Sequence, residues 1–199
     1  MTTLADIRDR IRKDLHDTDS ASYRWPDTQL DRHIARALEE VSLAIPRELT
    51  TTMATTAGSR DLSLAAITGL IAVEKAEYPA ARFPPCLAPF SRWADTLTLE
   101  LETAPGGADA TISYTARHTL DSSSSTLPPF LEDLVVTGAG AYAVLEIAAF
   151  AIDQLNTGGA SVSESYSAWA RARLIAFRQL LIQYGRANRV RSRRLHTPA

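Results

Sequence analysis

The sequence predicts an α+β fold: a four-helix α-helical core, made of two N-terminal and two C-terminal helices, with an inserted antiparallel β region. Three observations predict it. Apolar residues recur at helical spacing from Leu4 to Ile45. From Leu49 to about His118 the pattern turns to alternation, rich in threonine and β-branched residues and punctuated by Gly and Pro. After Leu127 helical patterning returns. The expected organisation is 1–48 for the N-terminal helices, 49–120 for the β region, 121–185 for the C-terminal helices and 186–199 for an arginine-rich tail.

The first helix is read from Leu4, Ile7, Ile11 and Leu15, which repeat at three- and four-residue steps with charged residues between them. It is expected to stop at the polar stretch Asp17-Thr18-Asp19-Ser20. A second helix follows Trp25-Pro26-Asp27, where proline suits the first turn and Asp27 adds negative charge to it. Its buried stripe is Leu30, Ile34, Leu38, Val41 and Ile45, and Pro46 marks the exit.

In the β region the clearest expectation is a hairpin of Thr96–Glu102 and Ala110–Ala116, joined through Pro105-Gly106-Gly107. Earlier strands are expected at 50–56, 60–64 and 70–77. The segment 78–90 carries four prolines and reads as a loop. Cys86, the only cysteine, precludes an internal disulfide and reads as a small packed apolar residue.

Asp121-Ser122-Ser123-Ser124-Ser125-Thr126 reads as a linker, and Leu127-Pro128-Pro129 opens a long helix running to about Leu155. Within it Gly138, Ala139, Gly140 and Ala141 form a seam of small residues that lets another backbone approach closely. Asn156-Thr157-Gly158-Gly159 closes this helix, and Ser161-Val162-Ser163-Glu164 fits a capping box for the last one. That helix carries Trp169, Leu174, Phe177, Leu181 and Tyr184 on an apolar side and is expected to fray from Gly185.

With 21 basic and 23 acidic residues, the net charge of −2 gives the whole chain no electrostatic case for wrapping nucleic acid or coating a membrane. Charge is unevenly distributed, however. Glu164 is the last carboxylate, and eight arginines follow it. Five of them, Arg186, Arg189, Arg191, Arg193 and Arg194, form a lysine-free tail suited to bidentate pairing with carboxylates or phosphates. No aromatic residue is interleaved between Arg186 and Arg194, so stacking on single strands is not indicated.

The chemistry of catalysis is sparsely represented. His16, His33, His118 and His196 are not spaced as paired ligands on one helical face, and no His-Glu-x-x-His pattern occurs. Phosphate-loop and nucleophile-elbow motifs are missing. Glu100 and Glu102 are expected to share a solvated strand face, and His118 to lie at a surface or interface. The expectation is therefore a non-enzymatic protein with no catalytic residues, no metal and no cofactor. The N-terminus lacks a signal-peptide apolar core, and the longest apolar stretch is too short to span a bilayer.

The order of elements and several short motifs resemble the head-to-tail adaptor (connector, head-completion) proteins of tailed bacteriophages. The resemblance is carried by Tyr23-Arg24-Trp25-Pro26-Asp27-Thr28-Gln29-Leu30 leading into the second helix, and by Phe90-Ser91-Arg92-Trp93 before a strand. Ile112-Ser113-Tyr114-Thr115-Ala116-Arg117-His118 and Leu127-Pro128-Pro129-Phe130 also carry it; each motif is short, while the similarity in element order extends over nearly the whole chain. Pro26 stands where the family often has a capping serine.

The resemblance implies a viral structural protein in the neck between capsid and tail, assembled in the host cytoplasm. It would form a homo-oligomeric ring, typically of twelve subunits, docked on the portal protein. Its other side would meet a tail, head-completion or stopper protein, and packaged DNA would pass through the channel without sequence-specific binding. In that setting the five tail arginines would dock onto the portal. The competing reading of the same arginines is a nucleic-acid-binding module.

Overall fold

The computed structural model describes residues 2–151 and 162–189, with the side chains at 150, 151, 162, 163, 188 and 189 outside that description. The fold is α+β, with four helices and two antiparallel sheets. The chain forms two compact units, one built from its two ends, up to Ile45 and from His118, and the other from Pro46–Arg117.

In the helical unit, α1 (Leu4–Asp14) begins in a capping box. The Thr3 hydroxyl accepts from Asp6 N–H, and the Asp6 carboxylate accepts from Thr3 N–H. α2 (Asp27–Ala44) starts at Pro26, which offers no side-chain cap. α3 (Pro129–Ala151) and α4 (Val162–Arg189) complete the bundle. The predicted closing sequence Asn156–Gly159 and Ser161, first residue of the predicted capping box, lie outside the described residues. α4 continues as helix past Gly185 to Arg189, where fraying was expected.

The core follows the helical periodicities. Ile7 and Ile11 of α1 pack with Leu30, Ile34, Ala37 and Val41 of α2, Leu131, Val135 and Ala139 of α3, and Phe177 of α4. Each of these side chains is almost wholly withdrawn from water. At about 1.5–3 kcal/mol for each large apolar side chain, such burial is the main stabilising term of the unit.

In the β unit, β1 (Arg47–Met53), β7 (Ala110–Ala116), β3 (Leu70–Glu77) and β4 (Leu87–Ala88) form a four-stranded sheet in that order. β2 (Asp61–Ser63), β6 (Thr96–Leu99) and β5 (Phe90–Trp93) form a second. The expected hairpin is therefore a correction: β6 pairs with β2 and β5, while β7 pairs with β1 and β3. The stretch between β6 and β7 bonds elsewhere. Gly58 N–H donates to Pro105 O, Gly106 N–H to the Tyr78 hydroxyl, and Ala80 N–H to Asp109 O. Glu100 and Glu102 fall beyond β6, where Arg60 donates to the carbonyls of Leu101 and Glu102, so they share no strand face.

Two further expectations are corrected. The proline-rich segment contains β4 and leads into β5. Cys86 within it is exposed rather than packed, because it directly precedes β4, the edge strand of its sheet, where its carbonyl accepts from Tyr78 N–H at 3.0 Å. The unit's core is Leu62, Leu64, Ala76, Ala88, Leu97, Leu99, Ala110 and Ile112, drawn from both sheets.

Candidate partner-binding surface

The motif Tyr23–Leu30 is built around a buried arginine. Arg12, only 3% exposed, donates to Asp17 Oδ2 at 2.8 Å, to the carbonyl of Trp25 at 2.8 Å and to Asp27 Oδ1 at 2.6 Å. Its guanidinium also lies 3.5 Å from the centroid of the Tyr23 ring. Asp17 in turn accepts from the backbone N–H groups of Arg24 and Trp25. A charge taken this far out of water is tolerable only when it is paired and hydrogen-bonded, and here those bonds fix the α1–α2 loop. Trp25 closes the arrangement by donating its indole N–H to Ala143 O at 3.1 Å. Asp27 and Asp31 hold Arg8, whose pKa is raised chiefly by its bond to Asp31.

The small residues of α3 lie inside the bundle. A Cβ on Gly138 would sit 2.9 Å from the Phe177 ring, a distance side-chain carbons do not adopt, so the ring occupies the space glycine leaves. Gly140 has Ile11 at 4.0 Å from the corresponding position, and Ala139 and Ala141 are fully buried. At the far end of α4, a Cβ on Gly185 would come 3.0 Å from Ala44 O of α2.

α4 has two faces. Ala170, Leu174, Phe177 and Leu181 are buried. Along one flank, roughly a third of a turn from them, Arg171, Ile175, Arg178, Ile182 and Arg186 are exposed. Of the predicted tail, Arg186 lies on this helix and Arg189 ends it, with the Arg189 side chain not described; Arg191, Arg193 and Arg194 lie outside the described residues.

Titratable groups within the unit serve its packing. His33 of α2 is buried beside Glu146 of α3, which also receives Arg32. Burial holds the His33 pKa below 6.5 although Glu146 pulls it upward. The Glu146 pKa is lowered first by its bond to Arg32 and further by His33. Burial, then a bond to Glu40, raises the Tyr142 phenol. In the Asp121–Thr126 linker, the Ser123 hydroxyl and the N–H groups of Ser123 and Ser124 bring Asp121 down to about 2.

His118 is buried, where a surface or interface position was expected. Its N–H donates to Ser42 Oγ at 3.1 Å; its ring nitrogens lie 3.0 Å from Ile45 O and 3.2 Å from Thr126 O. These bonds tie the point where the chain leaves the helical unit to the point where it returns. No local pattern marks this role, since the ring's partners are backbone carbonyls distant in sequence or across a turn.

Among the described residues no group of three or more His, Cys, Asp and Glu side chains is placed to hold a metal ion, and no helix is long and apolar enough to cross a membrane. A shallow groove between α1 and α3 is lined by Arg10, Lys13, Asp14, Asp133, Val136 and Thr137. Its charges are largely committed: Arg10 pairs with Glu132 and Asp133, and Asp14 with Arg173. Along the flank of α4, exposed cations and apolar side chains alternate instead.

Among solved structures, the chain is similar to one described as the virion of a native gene transfer agent particle, at 20% identity and a TM-score of 0.32. The match covers 83% of this chain and 86% of that one. At that TM-score the likeness carries no functional weight. No family model and no curated protein matches the chain.

Proposed function

We propose that this protein is a structural component of a phage-like virion, a head-to-tail adaptor that forms a ring on the portal and connects it to the tail. The observation that carries the reading is the element order, a helix pair, a β region and a second helix pair, together with the motifs that resemble the adaptor family. The longest of these motifs, Tyr23–Leu30, forms the loop centred on Arg12 and the start of α2, so its residues have a defined structural task.

In this reading the helical unit is the ring-forming part and the tail arginines Arg186, Arg189, Arg191, Arg193 and Arg194 dock on the portal. Ring closure would repeat each arm around the portal, and many weak arginine–carboxylate pairs would then act together. DNA would be a passenger in the channel. The protein would work as scaffold rather than catalyst.

Removing residues 186–199 tests the docking arm. The truncated chain is expected to lose attachment to purified portals while keeping its far-UV circular dichroism spectrum; undiminished attachment would contradict that role. The nucleic-acid alternative predicts a gel shift with duplex DNA at low salt that collapses at moderate salt. The adaptor reading predicts weak shifts at both. Exposed isoleucines interleaved with the α4 arginines favour a protein partner over a phosphate backbone.

A further inference from the structure

We propose that the exposed flank of α4 is a docking strip for an acidic amphipathic helix of another protein. The inference stands on α4 alone, so the adaptor reading can fail without it. Arg171, Ile175, Arg178, Ile182 and Arg186 follow one another at three- and four-residue steps, which sets them in a single row along the helix. All five are exposed, Ile175 to 58% and Ile182 to 56%. The core face of α4 is already filled by Ala170, Leu174, Phe177 and Leu181, so the isoleucines on its flank leave more than half of their surface in water; the same spacing on a recognition helix supplies anchors.

The charge on the row points to the occupant. No carboxylate follows Glu164 in the sequence, so pairing on α4 must come from elsewhere. Arg173, off the row, takes Asp14 of α1 at 2.8 Å. Arg178 bonds the Tyr142 hydroxyl, a neutral group. Arg171 and Arg186 have no carboxylate partner among the described residues. The strip thus offers unneutralised guanidinium groups with apolar side chains between them. Its complement is a helix bearing Glu or Asp on either side of leucine-like residues.

Other occupants fit less well. The chain's own residues 190–199 add Arg191, Arg193 and Arg194 and no acid, so they repel the strip, and residues 152–161 bring a single carboxylate, Asp153. A second copy facing the first across a two-fold axis would set arginine against arginine. Nucleic acid would engage the arginines but leave the isoleucines against phosphates.

The test uses the full chain and two fluorescein-labelled synthetic helical peptides of equal length, one of Glu and Leu at helical spacing and one with Lys in place of Glu. Anisotropy is expected to show binding of the Glu/Leu peptide alone, weakening with salt. The double variant Ile175→Ser, Ile182→Ser, which keeps every charge, is expected to bind about tenfold more weakly, as is Arg171→Glu, Arg186→Glu. Circular dichroism confirms that each remains folded. Equal binding of both peptides, or undiminished binding by either variant, would overturn the proposal. So would a strip that serves a different occupant: self-association that the serine variant abolishes, or duplex DNA binding that the glutamate variant abolishes while the Glu/Leu peptide does not bind.

Discussion

Replacing Gly138 with alanine should destabilise the helical unit, although alanine is the better helix former. In solvent the change would stabilise by about 0.5–1 kcal/mol, because glycine loses more backbone freedom on folding. Here the new methyl would sit 2.9 Å from two ring carbons of Phe177. That ring is fully buried and packed edge-on to Tyr142, with centroids 6.5 Å apart and planes at 82°. It can relieve the clash only by displacing other core side chains, and overpacking of this kind costs about 1–3 kcal/mol. The net effect is a loss centred at about 1 kcal/mol and at most about 2.5 kcal/mol, the central value corresponding to roughly 2–4 °C in Tm for a chain of this size. Urea denaturation followed by circular dichroism reads it. Pairing Gly138→Ala with Phe177→Leu should cost less than the two changes summed, by about 1 kcal/mol, because the smaller side chain makes room. A Gly138→Ala protein as stable as the parent, or strictly additive losses, would refute the close packing of α3 on α4.

Two further predictions come from buried charge. Arg12→Ala should cost about 3–5 kcal/mol, since it leaves the Asp17 carboxylate buried without its cation, and limited proteolysis should cut within 17–26 earlier than in the parent. Stability should also fall on acidification, in two stages. Because burial holds His33 below 6.5 in the fold, the unfolded chain takes up the proton first, so its contribution is complete above about pH 6.5 and declines below that. The contribution of Glu146, whose pKa is lowered from 4.5, is present above that pH and is lost as the pH falls through its lowered value. Urea midpoints measured from pH 8 to pH 5 should show the first decline in the parent and a flatter profile in His33→Gln; identical slopes would contradict the assignment.

α1 and α2 were legible because each has one buried stripe whose period names both the element and its inner face, whereas α3 is buried nearly all round and was marked by its proline start and small residues. Leu4–Asp14 and Asp27–Ala44 follow directly from Ile7, Ile11, Leu30, Ile34 and Val41. β7 was legible from its alternation, while β3, whose residues alternate less cleanly and whose pairing carries two register shifts, was marked mainly by its β-branched residues. What alternation does not specify is the neighbouring strand, so Thr96–Leu99 and Ala110–Ala116 looked like two arms of one turn although they belong to different sheets. The deciding bonds, donated by Gly58 and Arg60 into the stretch between them and accepted by Tyr78 from it, are long-range and mostly involve its backbone. The α4 strip was half legible. Its arginines stood out by sequence alone, whereas the exposure of Ile175 and Ile182 depends on which side of the helix the core takes. Arg12 was invisible, because nothing local marks one arginine among several on an amphipathic helix as the buried one.

The central claim is that the chain joins a portal to a tail. Negative-stain images of the purified protein mixed with its portal test it most directly, read beside the mass of the complex in solution. The account predicts a ring of subunits capping the narrow end of the portal, with twelve copies by mass. Portals that remain bare at saturating protein, while the protein alone binds duplex DNA with steep salt dependence, would contradict it.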